Sequence, residues 1–384
     1  MAAHGRIAAL DIVRGVAILG TLGTNIWIFT DPLGAAGFFA LPEPDSFAGF
    51  TETALRFLSN GKFLALLSLL FGIGLELQYR SAIRRGKRWP GWYLWRSALL
   101  LFEGLLHYIL IFEFDVLMYY AIVSVLVAFL VARGDRVRKA WLIAAGSLHL
   151  AFVLLVTAGM YTDDATITTG GGGPGTGSWL AQVQHRLTDM DVYRAEAVFV
   201  IPLSTVLFLA GIGLLRAGAI ENSARGNAIQ RKLIGIGLGI GLPLNVVTSF
   251  AGPELFFADR YVAAPIVAFG LLGLVPWIVH RMRAREGLLR RGITSVGRTA
   301  LSCYVLQNLI AGILCYGWGF GLAETMADAR PWWVIGCFAG ISVLLLALAS
   351  LWLRRFTRGP LEAAWQWAYL APQRTSPATS ATLR

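Results

Sequence analysis

Apolar residues run along this chain in unbroken stretches of about twenty, separated by short polar segments rich in arginine. An α-helix of about 20 residues, rising 1.5 Å per residue, crosses the roughly 30 Å hydrocarbon layer of a bilayer. Ten stretches qualify, at about 7–29, 57–79, 92–112, 114–132, 138–160, 195–216, 231–250, 260–280, 298–320 and 333–355. None alternates apolar with polar positions as a transmembrane β-barrel must, so the spans are helical. The pattern predicts an all-α fold, a polytopic membrane helical bundle of about ten transmembrane helices. Residues 1–372 read as one transmembrane domain, and the Ser- and Thr-rich stretch 373–384 as a disordered cytoplasmic tail.

Composition agrees with the pattern. The 384 residues are 56% hydrophobic and only 14% charged, against about a quarter charged in a soluble domain. That excludes a soluble core and a disordered chain alike. Three cysteines, Cys303, Cys315 and Cys337, all fall in spans without metal-ligand spacing, so they read as buried free thiols and no metal is expected.

The net charge of +11 would point to nucleic acid in a soluble protein. Here it follows topology instead. With the N-terminus inside, 24 of the 33 Lys and Arg fall in inner segments. Six fall outside (Arg56, Lys62, Arg186, Arg194, Arg260, Arg330), and Arg14, Arg96 and Arg298 lie within or at the edge of spans. Every inner segment is basic, so both termini are expected to be cytoplasmic. Membrane lipids are the expected partners, and nucleic acid is not.

Several motifs read as structural. Asp11 and Arg14 interrupt the first apolar stretch, which is expected to be a retained helix and not a cleaved signal. The tract Gly170–Gly173, followed by Pro174, lacks Gly-Lys-Ser/Thr and reads as a flexible outer loop. Gly235, Gly237, Gly239 and Gly241 follow no strand, so they predict close helix packing and not a dinucleotide site. His185 and Asp189, spaced His-x-x-x-Asp, fall on the outer loop and read as coincidence.

Chemistry should lie where ionisable groups sit in hydrocarbon, because each costs at least about 2.5–3.5 kcal/mol there and needs a partner or a watery cavity. Asp11 and Arg14, at i and i+3, can pair. Arg96, Glu103 and His107 are seven and four residues apart, nearly one stripe of the third helix. Glu103 is expected to hold His107 in one tautomer, which suits a general base, although an internal salt-bridged seam would use the same spacing. Asn25, Lys62, Asp115, Asn245 and Asn308 are predicted in the outer half, and Arg14, Arg96 and Arg298 in the inner half. A polar path from a cationic inner mouth to an outer histidine suits a group-transfer enzyme or a transporter of a small or lipid-linked metabolite.

Leu10-Asp11-Ile12-Val13-Arg14-Gly15 with Asn25, Gly61-Lys62-Phe63, Ser68 to Gly74, Gly104-Leu105-Leu106-His107 with Asp115, Gly297-Arg298 through Gln307, and Gly359-Pro360-Leu361-Glu362 with Trp365 occur in order along nearly the whole chain. In these the sequence resembles the YeiB-like family (domain of unknown function 418). That family resembles, more distantly, the transmembrane acyltransferase superfamily. The resemblance implies a bacterial cell-membrane protein that moves an acyl group from a cytoplasmic acyl-CoA donor to an extracytoplasmic envelope sugar, lipid or small metabolite. With the spacing and depth of the polar groups, it leads to the expectation of His107 and Glu103 as catalytic, Arg14, Arg96 and Arg298 as donor-binding, and Asn25, Lys62, Asp115, Tyr304, Gln307 and Asn308 as substrate-binding. One departure matters. The O-acetyltransferase branch carries a catalytic His eleven positions after the first-helix Arg, where this chain has Asn25, so His107 would have to take that role.

Overall fold

The computed structural model describes residues 8–39, 46–162, 177–282 and 287–374. Among them every regular element is a helix. The glycine tract Gly170–Gly173, His4 and the tail beyond Arg374 lie outside the described residues.

Each of the ten expected spans contains a helix. They are α1 (Ala8–Phe29), α2 (Phe47–Ser59) leading into α3 (Lys62–Arg84), α4 (Trp92–Leu110), α5 (Leu117–Val131), α6 (Asp135–Gly159), and, after an outer segment holding α7 (Trp179–Thr188), α8 (Ala197–Ala217). Then follow α9 (Ala224–Ile236) continued by α10 (Leu242–Phe250), α11 (Ala264–Arg281), α12 (Leu288–Arg298) with α13 (Ala300–Cys315), α14 (Trp332–Trp352) and α15 (Pro360–Arg374). By length and composition seven of the described helices can cross a membrane, or eight if the bent pair α12–α13 counts as one. The shortfall from ten has physical causes. α5 is only 15 residues long, α4 carries Arg96, Glu103 and His107, and the chain turns by 95° between α12 and α13.

Three further departures are local. The second span begins as a separate helix, α2, whose first turn is capped by Ser46 Oγ accepting from Gly49 N at 3.0 Å. It breaks at Gly61, whose φ of 70° places it in the left-handed region open to glycine. His185 and Asp189 do not lie on a loop: both belong to the ordered segment around α7, 3.2 Å apart. The glycine run packs as expected at half its positions. A Cβ on Gly237 would meet Gly270 Cα at 2.3 Å, whereas Gly235 and Gly239 face open space.

Helices α1, α3 and α8 are largely enclosed, while α6 and α14 sit on the outside with most of their surface free. Apolar contact alone positions such outer helices weakly where the surroundings are apolar too, so small residues and polar ties register the bundle. Glu76 of α3 shows such a tie: it is 2% exposed and accepts from Arg216 of α8 at 2.9 and 2.8 Å and from Arg80 at 2.7 Å.

Candidate functional site

His107 stands near the end of α4 and is 2% exposed. Gly104, one turn earlier, lets α5 come close: a Cβ there would lie 2.7 Å from Met118 N and 2.9 Å from Asp115 Oδ2. That approach brings Asp115, in the turn before α5, against the imidazole. Asp115 Oδ1 is 3.0 Å from His107 Nδ1, and its Oδ2 accepts from Met118 N at 3.2 Å. On the other ring nitrogen, His107 Nε2 meets Asn308 Nδ2 of α13 at 3.1 Å. Asn308 Oδ1 accepts from Asn25 Nδ2 of α1 at 3.1 Å.

This chain of contacts orients the imidazole. With Asn308 donating to Nε2, the proton falls on Nδ1, which lies 3.0 Å from Asp115 Oδ1 without the alignment of a hydrogen bond, and Nε2 is the accepting nitrogen. The carboxylate that serves His107 is therefore Asp115, correcting the expectation that Glu103 would do so. Spacing along one helix suggested Glu103, because only neighbours on the same helix are visible in a sequence; Asp115 arrives by the turn between two helices.

Glu103 faces elsewhere. A cavity of about 600 Å³ is lined by Arg14, Arg96, Arg298 and Arg358, together with Glu103, Tyr304, Glu362 and Trp365. The three arginines expected to bind the donor thus converge from α1, α4 and α12 on one chamber. Arg14 pairs with Asp11 at 3.1 Å, as its spacing predicted. The Arg96 guanidinium lies over the Trp365 ring, 4.3 Å from its centroid. Glu103 Oε2 has no hydrogen-bond partner among the described residues. Guanidinium groups beside aromatic faces suit a planar or phosphorylated anion.

Tyr304 joins the two places. It lines the chamber, its hydroxyl donates to Asp115 Oδ1 at 3.4 Å, and its ring centroid is 5.1 Å from that of His107. His107 does not itself line the chamber. Gln307, next to Asn308 in sequence, donates to Thr21 of α1 at 3.2 Å. Lys62 lies apart from this group. Its ammonium donates to the Phe57 carbonyl and sits 4.1 Å from the Phe57 ring. Nearby, Asn60 and Asn245 donate to Asp259 at 3.1 and 2.5 Å in a second polar cluster.

Two residues outside the expected set close the His107 group from the other side. Arg186 of α7, 1% exposed, donates to Glu113 at 3.2 Å and to the carbonyls of Ile109 and Ile111 at 3.3 and 3.1 Å. Arg194 donates to the Asp115 carbonyl at 3.0 Å and to that of Glu113. Both looked like ordinary outer-loop charges. Glu113, close by in sequence to Asp115, was the available signal: two acidic residues in a short apolar turn require cations from elsewhere.

Residues 214–371 match a family described as a protein of unknown function (DUF418). The chain is 28% identical over 408 residues to the uncharacterized protein YeiB of Escherichia coli (strain K12), covering 99% of this chain and 100% of that one. It is YeiB-like. It is also 28% identical over 399 residues to the uncharacterized protein YxaH of Bacillus subtilis (strain 168), covering 96% and 95% of the two chains. The DUF418 match takes in Arg298, Tyr304, Asn308 and Glu362, and the YeiB likeness extends over the half that carries His107 and Asp115. Its apolar helices describe a multi-pass helical membrane protein similar to YeiB.

Proposed function

We propose that this protein is a membrane acyltransferase that takes an acyl group from an acyl-CoA donor in the arginine-lined chamber and passes it to an acceptor, with His107 as the base. The observation that carries the reading is the convergence of Arg14, Arg96, Arg298 and Arg358 on one chamber whose wall, Tyr304, touches the Asp115–His107 pair. The alternation of basic segments supports ten spans with both ends in the cytoplasm, a topology in which the chamber opens toward the donor. The bacterial origin of the relatives supports the bacterial cell membrane as its location.

The chemistry is acyl transfer to a hydroxyl or amine. Asn308 gives up its bond to Nε2, and that nitrogen takes the acceptor's proton while Nδ1 keeps its own beside the Asp115 carboxylate, which stabilises the imidazolium. The acceptor atom bonds to the thioester carbonyl carbon, the carbon–sulfur bond breaks, and the imidazolium returns the proton to the leaving thiolate. An envelope sugar, a lipid or a small metabolite can supply such an acceptor.

A carrier is the second reading, favoured by the 2% exposure of His107 and by its separation from the chamber. The two readings part on one measurement with purified protein. Coenzyme A should raise the unfolding temperature of the parent and do so far less in Arg96→Ala or Arg298→Ala. No protection by coenzyme A or acyl-CoA, together with counterflow of a solute in liposomes, would replace the enzyme reading by the carrier.

A further inference from the structure

A second cavity, of about 510 Å³, opens on the outside of the bundle between α13, α14 and the start of α15. Its walls are Leu306 and Leu309 from α13 and Leu345 and Leu348 from α14; Trp352 and Arg355 stand where α14 ends. The Leu309, Leu348 and Trp352 side chains are 37–41% exposed, so the groove is open along its length and not filled from within. From Leu345 to Arg355 is about 15 Å at 1.5 Å per residue, half of the roughly 30 Å hydrocarbon thickness. An apolar trough one leaflet long, with a guanidinium at its basic end, has the dimensions and charge of a phospholipid site.

We propose that this groove holds an acyl chain of an anionic glycerophospholipid of the cytoplasmic leaflet, with the lipid phosphate on Arg355. The chain length follows from the trough, and the headgroup charge from Arg355, which is exposed and flanked by Arg354. Guanidinium binds a phosphate through parallel charge-assisted hydrogen bonds. The assignment does not depend on acyl transfer and holds equally for a carrier.

The groove shares a wall with the arginine chamber. Leu361 lines the groove and Glu362, its neighbour, lines the chamber. Ser302 joins them: its hydroxyl donates to Glu362 Oε2 at 2.5 Å and accepts from Leu361 N at 3.0 Å. Glu362 Oε1 accepts from Leu301 N at 2.8 Å, capping α13. A chain lying against Leu361 therefore braces α15, the helix that gives the chamber Glu362, Trp365 and Tyr369.

The test uses delipidated full-length protein in detergent, offered equal amounts of phosphatidylglycerol and phosphatidylcholine with identical chains and examined by native mass spectrometry. Both headgroups carry the phosphate, but the choline ammonium of phosphatidylcholine cancels its charge and repels Arg355, so phosphatidylglycerol should be retained about tenfold over it. Arg355→Glu should abolish the preference, and Leu348→Trp, which fills the trough, should lower retention of both lipids. If Leu348→Trp does not elute as folded protein, Leu306→Phe takes its place. Phosphatidylglycerol should also slow amide exchange over residues 360–372, an effect Ser302→Ala removes. Equal retention of the two lipids, parent-like retention by Arg355→Glu, or displacement by inorganic phosphate alone would overturn the site.

Discussion

At the scale of single residues, the structure separates two jobs that one helix stripe had combined. His107 has Asp115 on one nitrogen and Asn308 on the other, while Glu103 looks into the chamber. Losing a positioned base costs about 100- to 10,000-fold in rate. His107→Ala should lose turnover by that order, and Asp115→Asn should approach it, because an amide can no longer stabilise the imidazolium. Glu103→Gln should instead alter donor affinity. Rates and binding measured side by side on the three variants check the division; a Glu103→Gln enzyme as dead as His107→Ala would restore the stripe. His149 serves as the control: its Nε2 meets the Tyr261 carbonyl at 2.9 Å, and among the described residues it pairs with no carboxylate. Tyr304 carries a prediction free of any assumed substrate. Because its ring stands between chamber and imidazole, Tyr304→Ala should expose His107 to diethylpyrocarbonate, read by peptide mass spectrometry, whereas Tyr304→Phe should leave it protected. Equal labelling of parent and Tyr304→Ala would mean that some other group is the barrier.

Among elements, the close approach of α4 to α5 decides the site. The Cβ that Gly104 lacks would collide with Met118 N and the Asp115 carboxylate. Gly104→Ala must therefore push α5 away, and overpacking of this kind costs about 1–3 kcal/mol. Thermal unfolding in detergent should show that loss, and His107 should lose its carboxylate along with it. A variant as stable as the parent, with unchanged histidine reactivity, would show that the helix pair has room to spare. The break between α12 and α13 is held in a similar way from a distance. Glu362 supplies acceptors to Leu301 N and Ser302 N, which a helix bent by 95° would leave without partners. Glu362→Ala should destabilise by about 0.5–2 kcal/mol and loosen the chamber wall.

For the whole molecule, the charge distribution makes the sharpest claim. If the N-terminus is inside, every inner segment of the proposed ten-span topology is basic, and that topology keeps both ends in the cytoplasm. A reporter fused after Arg384 should be active only when it works in the cytoplasm. Activity of a periplasm-dependent reporter there would invert the chamber and remove the donor side from reach of coenzyme A.

The sequence by itself determined the class of this protein. Apolar runs of helical length, few charges and basic alternation are properties of local composition, and they need no knowledge of which helices touch. It also picked out Asp11 with Arg14, whose pairing is one turn of a single helix, and, by the cost of polar groups in hydrocarbon, many of the polar residues that the structure gathers round His107 and the chamber. Only the tertiary structure decided their partnerships. Asp115 and Asn308 reach His107 from 8 and 201 positions away, Lys62 leaves the group for a cluster with Asp259, and Arg186 closes it from a segment read as a loop. A sequence shows neighbours along one helix, at three and four residues. Which helices lie side by side depends on where missing side chains, such as those of Gly104 and Gly297, let backbones meet, and on carboxylates that need cations wherever the fold can bring them.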